Sequence, residues 1–497
     1  MKYISTRDTR VEPEKISSAE AIKRGLAPDG GLYLPETIPT TDMNFITSLS
    51  GLSYSEAAVK ILSLYLDDYT EEELTEDCRA AYGASFGNDP APVRKAGDGV
   101  YCLELWHGPT CAFKDMALQL MPRLLSRALG KTGEHRTALV LVATSGDTGK
   151  AALEGYKNVP GVAIKVFYPV DGVSRVQKLQ MMTQEGDNVD VCAIRGNFDD
   201  AQSGVKRIFA DGAMREELDR RGYFLSSANS INWGRLVPQI VYYYVGYSRL
   251  AASGVIKPGD MIDVAVPTGN FGNIFAAYLA CRMGLPVRRL ICASNSNNIL
   301  TDFLSTGVYD RNRAFHTTMS PSMDILISSN LERLIYLMTD AETTASLMSR
   351  LSETGKYEVP ASVLDRIHDK FVGFCADEAE TASAIKRHYG RYGYLCDTHT
   401  AVALSCVDRY LADRTGSDRL PVLTASTASP YKFAGDVFKS LAGKKNAPDG
   451  AAALEALSKL THTDIPAPLA GLEERRIVFD RVCDVADMAH DVLKALK

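Results

Sequence analysis

The chain has 497 residues, 45% apolar and 23% charged, enough to bury large cores and too long for one ordinary domain. Its 55 basic and 61 acidic residues leave a formal charge of −6, with no basic run to neutralise a row of phosphates, which argues against a nucleic-acid partner. No apolar stretch approaches the roughly 18 residues of a membrane helix, and MKYISTRDTRVEPEK carries charges where a signal peptide needs its apolar segment, so no membrane and a cytoplasmic location are expected. The ten cysteines form no CxxC pair and have no partner at zinc spacing; they read as reduced packing thiols, with no metal site.

In chain order, residues 1 to about 95 read as a mostly helical cap: GLAPDGGLYLP (25–35) is turn-rich, and YSEAAVKILSLYL (54–66) repeats apolar residues at three- and four-residue intervals. HGPTCAFKDMA (107–117) follows, where a Gly-Pro turn gives way to an apolar helical run around Lys114. From residue 137 the pattern changes to strand, loop and helix: TALVLVA, then TSGDTG, then KAALEGYKN. VAIKVFYP, VDVCAIRG, MIDVAVP and VRRLICAS continue as short apolar runs between helical segments such as VSRVQKLQMMTQEG and NIFAAYLACRMG. This alternation predicts an α/β fold, its parallel sheets covered by helices on both faces. The last third returns to helices, among them THTAVALSCVDRYLADR, with one strand at LPVLTAS (420–426). No repeat, heptad array or low-complexity segment is present.

Five stretches can carry chemistry, and each has a bland alternative. TGNFGN (268–273) joins a strand to a helix; Gly269 and Gly272 permit close backbone approach to a phosphate at the helix N-terminus, or the loop is a tight turn capped by Asn270 and Asn273. TSGDTG offers the hydroxyls of Thr144, Ser145 and Thr148 to a carboxylate, but Asp147 repels an anion unless it points away or caps the helix. SSANSINWGR (226–235) groups Asn229, Ser230 and Asn232 ahead of Arg235, as an anion-binding cluster or as a capping loop with a surface arginine. STASPYKF (426–433) lies at a strand's C-terminal edge, a ligand edge or a hydroxyl-rich turn. Lys114 is either a solvated charge beside Asp115 or a desolvated amine of lowered pKa, nucleophilic toward aldehydes; no other lysine is expected to share its buried, aromatic-flanked setting. His107 reads as structural.

The order GPTxAFKD, TSGDTG, SANSIN, GNFGN and STAxP, with PDGGLYLP before and SPSMDI (320–325) between, resembles the threonine synthases among the fold type II pyridoxal-phosphate enzymes. The resemblance implies a cap over residues 1–95, a large cofactor domain over 96–136 and 251–497, and a smaller substrate domain over 137–250. It implies that Lys114 forms the Schiff base with pyridoxal 5'-phosphate, that Gly269, Asn270, Phe271, Gly272 and Asn273 hold the cofactor phosphate, and that Thr427 faces the pyridine nitrogen. A threonine there cannot hold that nitrogen protonated, so the ring is a tempered electron sink. TSGDTG would take the substrate carboxylate, and Arg235 the phosphate of O-phospho-L-homoserine. The implied reaction removes an α and then a β proton, expels phosphate from the γ carbon and adds water at the β carbon, giving threonine, in a monomer or homodimer. Cys111 stands where leucine is common, a change of volume, and Ser429 where the family has histidine. The rival readings are a dehydratase or phospho-lyase releasing a keto acid, and a non-catalytic sensor of a phosphate ligand.

Overall fold

The computed structural model, which describes residues 1–144, 146–171, 173–443 and 447–496, turns the apolar runs into parallel strands. Five form the smaller sheet, in the order Val482–Asp484, Val189–Arg195, Val162–Pro169, Thr137–Ala143 and Tyr223–Ser226, every pairing parallel. Six form the larger sheet, in the order Phe371–Cys375, Val287–Ser294, Ile262–Pro267, Val422–Ser426, Val100–Glu104 and Val93–Gly97, antiparallel only in the last pair. In each sheet the strand order reverses beside a central strand. Thr137–Ala143 lies between a strand that follows it directly and Tyr223–Ser226; Ile262–Pro267 lies between Val287–Ser294 and Val422–Ser426. Such reversals leave crevices at the strands' C-terminal ends, where open α/β sheets take ligands. The loops opening there are those that follow Ala143, Pro267 and Ser426.

The N-terminal region carries the expected helices, and two start in capping boxes: Ser53 with Glu56 for Tyr54–Leu62, and Thr70 with Glu73 for Glu71–Ala81. It also holds an antiparallel pair, Tyr3–Ser5 with Tyr33–Pro35, that the helical pattern does not predict. Leu62, Leu118, Val140 and Val264 belong to one continuous apolar core, so this region packs with both sheets. The expected boundaries differ from the strand pairing at two places. Val93–Gly97, begun inside the expected cap, pairs in the larger sheet. Val482–Asp484, in the span assigned to the large domain, joins the smaller sheet and carries Cys483 beside Cys192 and Asp491.

Candidate active site

Lys114 is positioned by a turn that folds back on the residue after it. Asp115 accepts the Thr110 backbone N–H at 2.8 Å and the Thr110 hydroxyl at 2.7 Å. Gly108 is required there, because a Cβ would lie 2.6 Å from Asp115 Oδ2 and 2.8 Å from the Phe86 ring. Lys114 is buried as this turn passes into the helix Asp115–Leu118; its Nζ donates to Ser322 Oγ at 3.1 Å and lies 3.6 Å from Asp147 Oδ2. Burial pushes the amine below its ordinary range, Asp147 opposes this, and Arg235 and Lys432 reinforce it.

The TSGDTG loop contributes differently from expectation. Thr144 Oγ1 accepts the Gly146 and Gly149 N–H groups at 3.0 and 2.9 Å, so its hydroxyl shapes the loop. Asp147 neither points away nor caps: its buried Oδ1 accepts Lys432 Nζ at 2.8 Å and Gln177 Nε2 at 2.7 Å. Burial alone would raise this carboxyl, but Lys432 and Lys114 outweigh it and hold it well below the usual carboxylate range. Thr148 is half-buried on the first turn of Asp147–Tyr156, a helix whose N-cap residue, Gly146, offers no side chain and whose Gly149 N–H is taken by Thr144. Ser145 lies outside the described residues.

Lys432 corrects the expectation that Lys114 is alone in its setting. It sits between Tyr431 and Phe433, is as deeply buried, and donates to Thr110 O at 3.1 Å and Gln180 Oε1 at 3.0 Å besides Asp147. The acceptors separate the two lysines. Lys432 has a carboxylate at hydrogen-bond distance and two further oxygens; Lys114 has one hydroxyl.

The loop after Ile262–Pro267 has the geometry of an anion cradle. Phe271 adopts a left-handed φ of 62°, and the helix Gly272–Met283 begins with no side-chain cap. A Cβ on Gly269 would lie 2.7 Å from Ser322 O, the residue whose hydroxyl holds Lys114, so the loop and the lysine meet at Ser322. The Gly269 and Asn270 carbonyls accept Ser328 Oγ and Asn330 Nδ2 at 2.8 and 3.0 Å. Asn273 Oδ1 takes the Tyr242 and Tyr243 hydroxyls, while its buried Nδ2 has no partner among the described residues.

Thr427 lies beside Lys114: its carbonyl accepts the Phe113 N–H at 2.8 Å and its N–H donates to Thr400 Oγ1 at 3.3 Å. Cys111 is more than a change of volume, since it holds a φ of 59° in this same crossing, where its carbonyl accepts the Ser429 N–H. Ser429 Oγ accepts the Tyr431 N–H at 3.3 Å and caps the turn that carries Lys432.

The 226–235 cluster divides. Asn232 is fully engaged as a cap, donating to Ile22 O at 3.0 Å and accepting Gly234 N–H at 2.9 Å. Asn229 is exposed, and Ser230 is half-buried, 3.8 Å from where a Cβ on Gly272 would lie. Arg235 is no surface residue. It is buried, donates from Nη1 to Ala228 O at 2.7 Å, and has no carboxylate partner among the described residues; burial pushes its guanidinium down to about 10.

Sequence reading missed Ser322's contact with Lys114 and the groups behind it. The Ser322 N–H donates to His399 Nε2 at 3.1 Å, and His399 Nδ1 donates to Asp397 Oδ2 at 2.8 Å, which leaves the ring proton on Nδ1. SPSMDI marked the first of these; His399 lay inside an apolar helical pattern that gave no signal.

Comparison with known proteins identifies the family. Residues 2–82 match the family described as threonine synthase N terminus, and 88–425 the pyridoxal-phosphate dependent enzymes. A threonine synthase of Pseudomonas aeruginosa is 38% identical over 478 residues, covering 96% of this chain and 94% of its own. The human threonine synthase-like 1 protein is 40% identical over 457 residues, covering 88% of this chain; the match spans 60% of that relative's length. The crystal structure of a pyridoxal-phosphate-bound threonine synthase from Brucella melitensis superposes with a TM-score of 0.87 at 35% identity, covering 100% of both chains. The lysine, the uncapped cradle and the two sheets thus lie in a chain that belongs to the threonine synthase family of pyridoxal-phosphate-dependent enzymes.

Proposed function

We propose that the chain converts O-phospho-L-homoserine and water to L-threonine and phosphate with pyridoxal 5'-phosphate as cofactor, in the cytoplasm, as a monomer or homodimer. The observation that carries this reading is a pair of buried cations, Lys114 and Arg235, in a cluster whose carboxylate, Asp147, is already held by Lys432. One buried carboxylate beside three buried cations, Lys114, Lys432 and Arg235, leaves net positive charge that suits a multiply anionic ligand.

The residues present fit the cofactor. The unpartnered Asn273 Nδ2, the uncapped first turn of Gly272–Met283 and the absence of a side chain at Gly272 suit its phosphate. Lys114 Nζ would hold its aldehyde and Thr427 would face its pyridine nitrogen. When bound, pyridoxal phosphate supplies an electron sink for charge left at the substrate's α and β carbons. Lys114 takes and returns protons at those carbons, with Ser322 Oγ fixing the direction of its Nζ. The Asp147 and Thr148 N–H groups at the start of Asp147–Tyr156, with the Thr148 hydroxyl, receive the substrate carboxylate. Arg235 receives the phosphate and offsets the charge that grows as the γ carbon–oxygen bond breaks.

Arg235→Ala should lower kcat/KM for O-phosphohomoserine by roughly two orders of magnitude, in line with about 3 kcal/mol for a lost charged contact. Homoserine, whose hydroxyl leaves poorly, should be inert with both proteins. Full activity in the variant would remove Arg235 from the phosphate site.

A further inference from the structure

Asp147 raises a difficulty that the reaction itself does not resolve. A buried carboxylate 3.6 Å from Lys114 has every electrostatic reason to close on it, and a lysine locked in a tight ion pair can neither attack an aldehyde nor accept a carbon-bound proton. The carboxylate is instead shared, with Oδ1 accepting Lys432 Nζ at 2.8 Å and the Gln177 amide at 2.7 Å while Oδ2 stays 3.6 Å from Lys114. Lys432 is anchored by Thr110 O and Gln180 Oε1, so it can neither follow Asp147 toward Lys114 nor withdraw. Thr110 also belongs to the turn that places Lys114, and Ser429 caps the turn that places Lys432.

We propose that Lys432 is a positioning residue, which detains the Asp147 carboxylate and so keeps it from closing on Lys114 Nζ. The charged groups facing Lys114 are Asp147 from the smaller sheet's first helix, Arg235 from Trp233–Leu236 and Lys432 from the turn Pro430–Phe433; Asp115 follows it on its own helix. Of these only Asp147 favours the ammonium form, and Lys432 both binds it and repels the proton on Lys114. The inference rests on the reading of Lys114 as the lysine that holds the cofactor.

The test reads Lys114 directly in the full-length chain freed of cofactor, by its acetylation rate with acetic anhydride across pH, followed by mass spectrometry of the Lys114 peptide. Lys432→Met should slow acetylation of Lys114 at pH 7 about tenfold, as the released carboxylate pairs with it. Adding Asp147→Asn to that variant should restore the wild-type rate or exceed it, which a general packing defect would not do. Lys432→Leu, which likewise offers Asp147 no donor, carries the same expectation if the methionine variant does not fold. An unchanged rate in the single variants, or no recovery in the double variant, overturns the proposal. A Lys114→Ala control separates the two claims: if it still binds pyridoxal phosphate with the visible band of lysine-bound cofactor, the reading of Lys114 fails, whatever the acetylation rates show.

Discussion

Lys114 and Lys432 show how far a residue's role can be read from its neighbours in sequence. Both follow an aromatic residue at the start of a turn or helix, Lys114 after Phe113 and Lys432 within Tyr431-Lys432-Phe433. What separates them is the distance to one carboxylate, 3.6 Å against 2.8 Å, which depends on two sheets meeting and leaves no trace in local sequence. Asp115 offers a second test at this scale. Burial pushes its carboxyl up to about 7, despite the opposing Thr110 hydrogen bonds. A carboxyl raised from 3.8 in this way contributes stability that is full below about pH 4 and is lost as pH rises through about 7. Wild type should therefore lose up to about 4 kcal/mol relative to Asp115→Asn between about pH 4 and pH 8, measured by urea unfolding. A difference that stays flat with pH would mean that Asp115 is ionised throughout.

Elements with strong patterns were legible, and the weak ones have physical reasons for their weakness. TALVLVA, VAIKVFYP and VRRLICAS form strands with the bounds the sequence implies, because each is mostly β-branched and apolar and mostly buried. Phe371–Cys375 was not legible: Gly373 interrupts it, since a Cβ there would lie 2.9 Å from the Thr301 backbone of the neighbouring helix. The three residues Val482–Asp484 are too few for any period to register. The cradle was legible as a loop between strand and helix, whereas the uncapped helix start and the unpartnered Asn273 amide were not. At Gly272 a Cβ would meet only ordinary contacts, 3.4 Å to Asn330 and 3.8 Å to Ser230. Gly272→Val should accordingly fold, with unchanged far-ultraviolet circular dichroism, yet purify without bound pyridoxal phosphate, because its side chain fills the cradle. Full cofactor occupancy in that variant would place the phosphate elsewhere.

On the scale of the whole molecule, two parallel sheets present strand-end loops to one another, and the N-terminal region is tied to the cradle through a buried arginine. Arg333 donates to Tyr33 O at 3.1 Å, to Ile231 O at 2.5 Å and to Asn330, whose amide holds the Asn270 carbonyl. The α/β class and the two sheets followed from alternation along the chain; these long-range ties did not, since sequence spacing carries no information about residues 300 positions apart. The proposed function requires this assembly to send O-phosphohomoserine to threonine rather than to a keto acid. Incubation of the cofactor-loaded protein with O-phosphohomoserine, with threonine, 2-oxobutyrate and phosphate measured in the same samples, tests it most directly. Threonine and phosphate rising in equal amounts with little 2-oxobutyrate is the predicted result; 2-oxobutyrate matching the phosphate released, or no turnover at all, would contradict it.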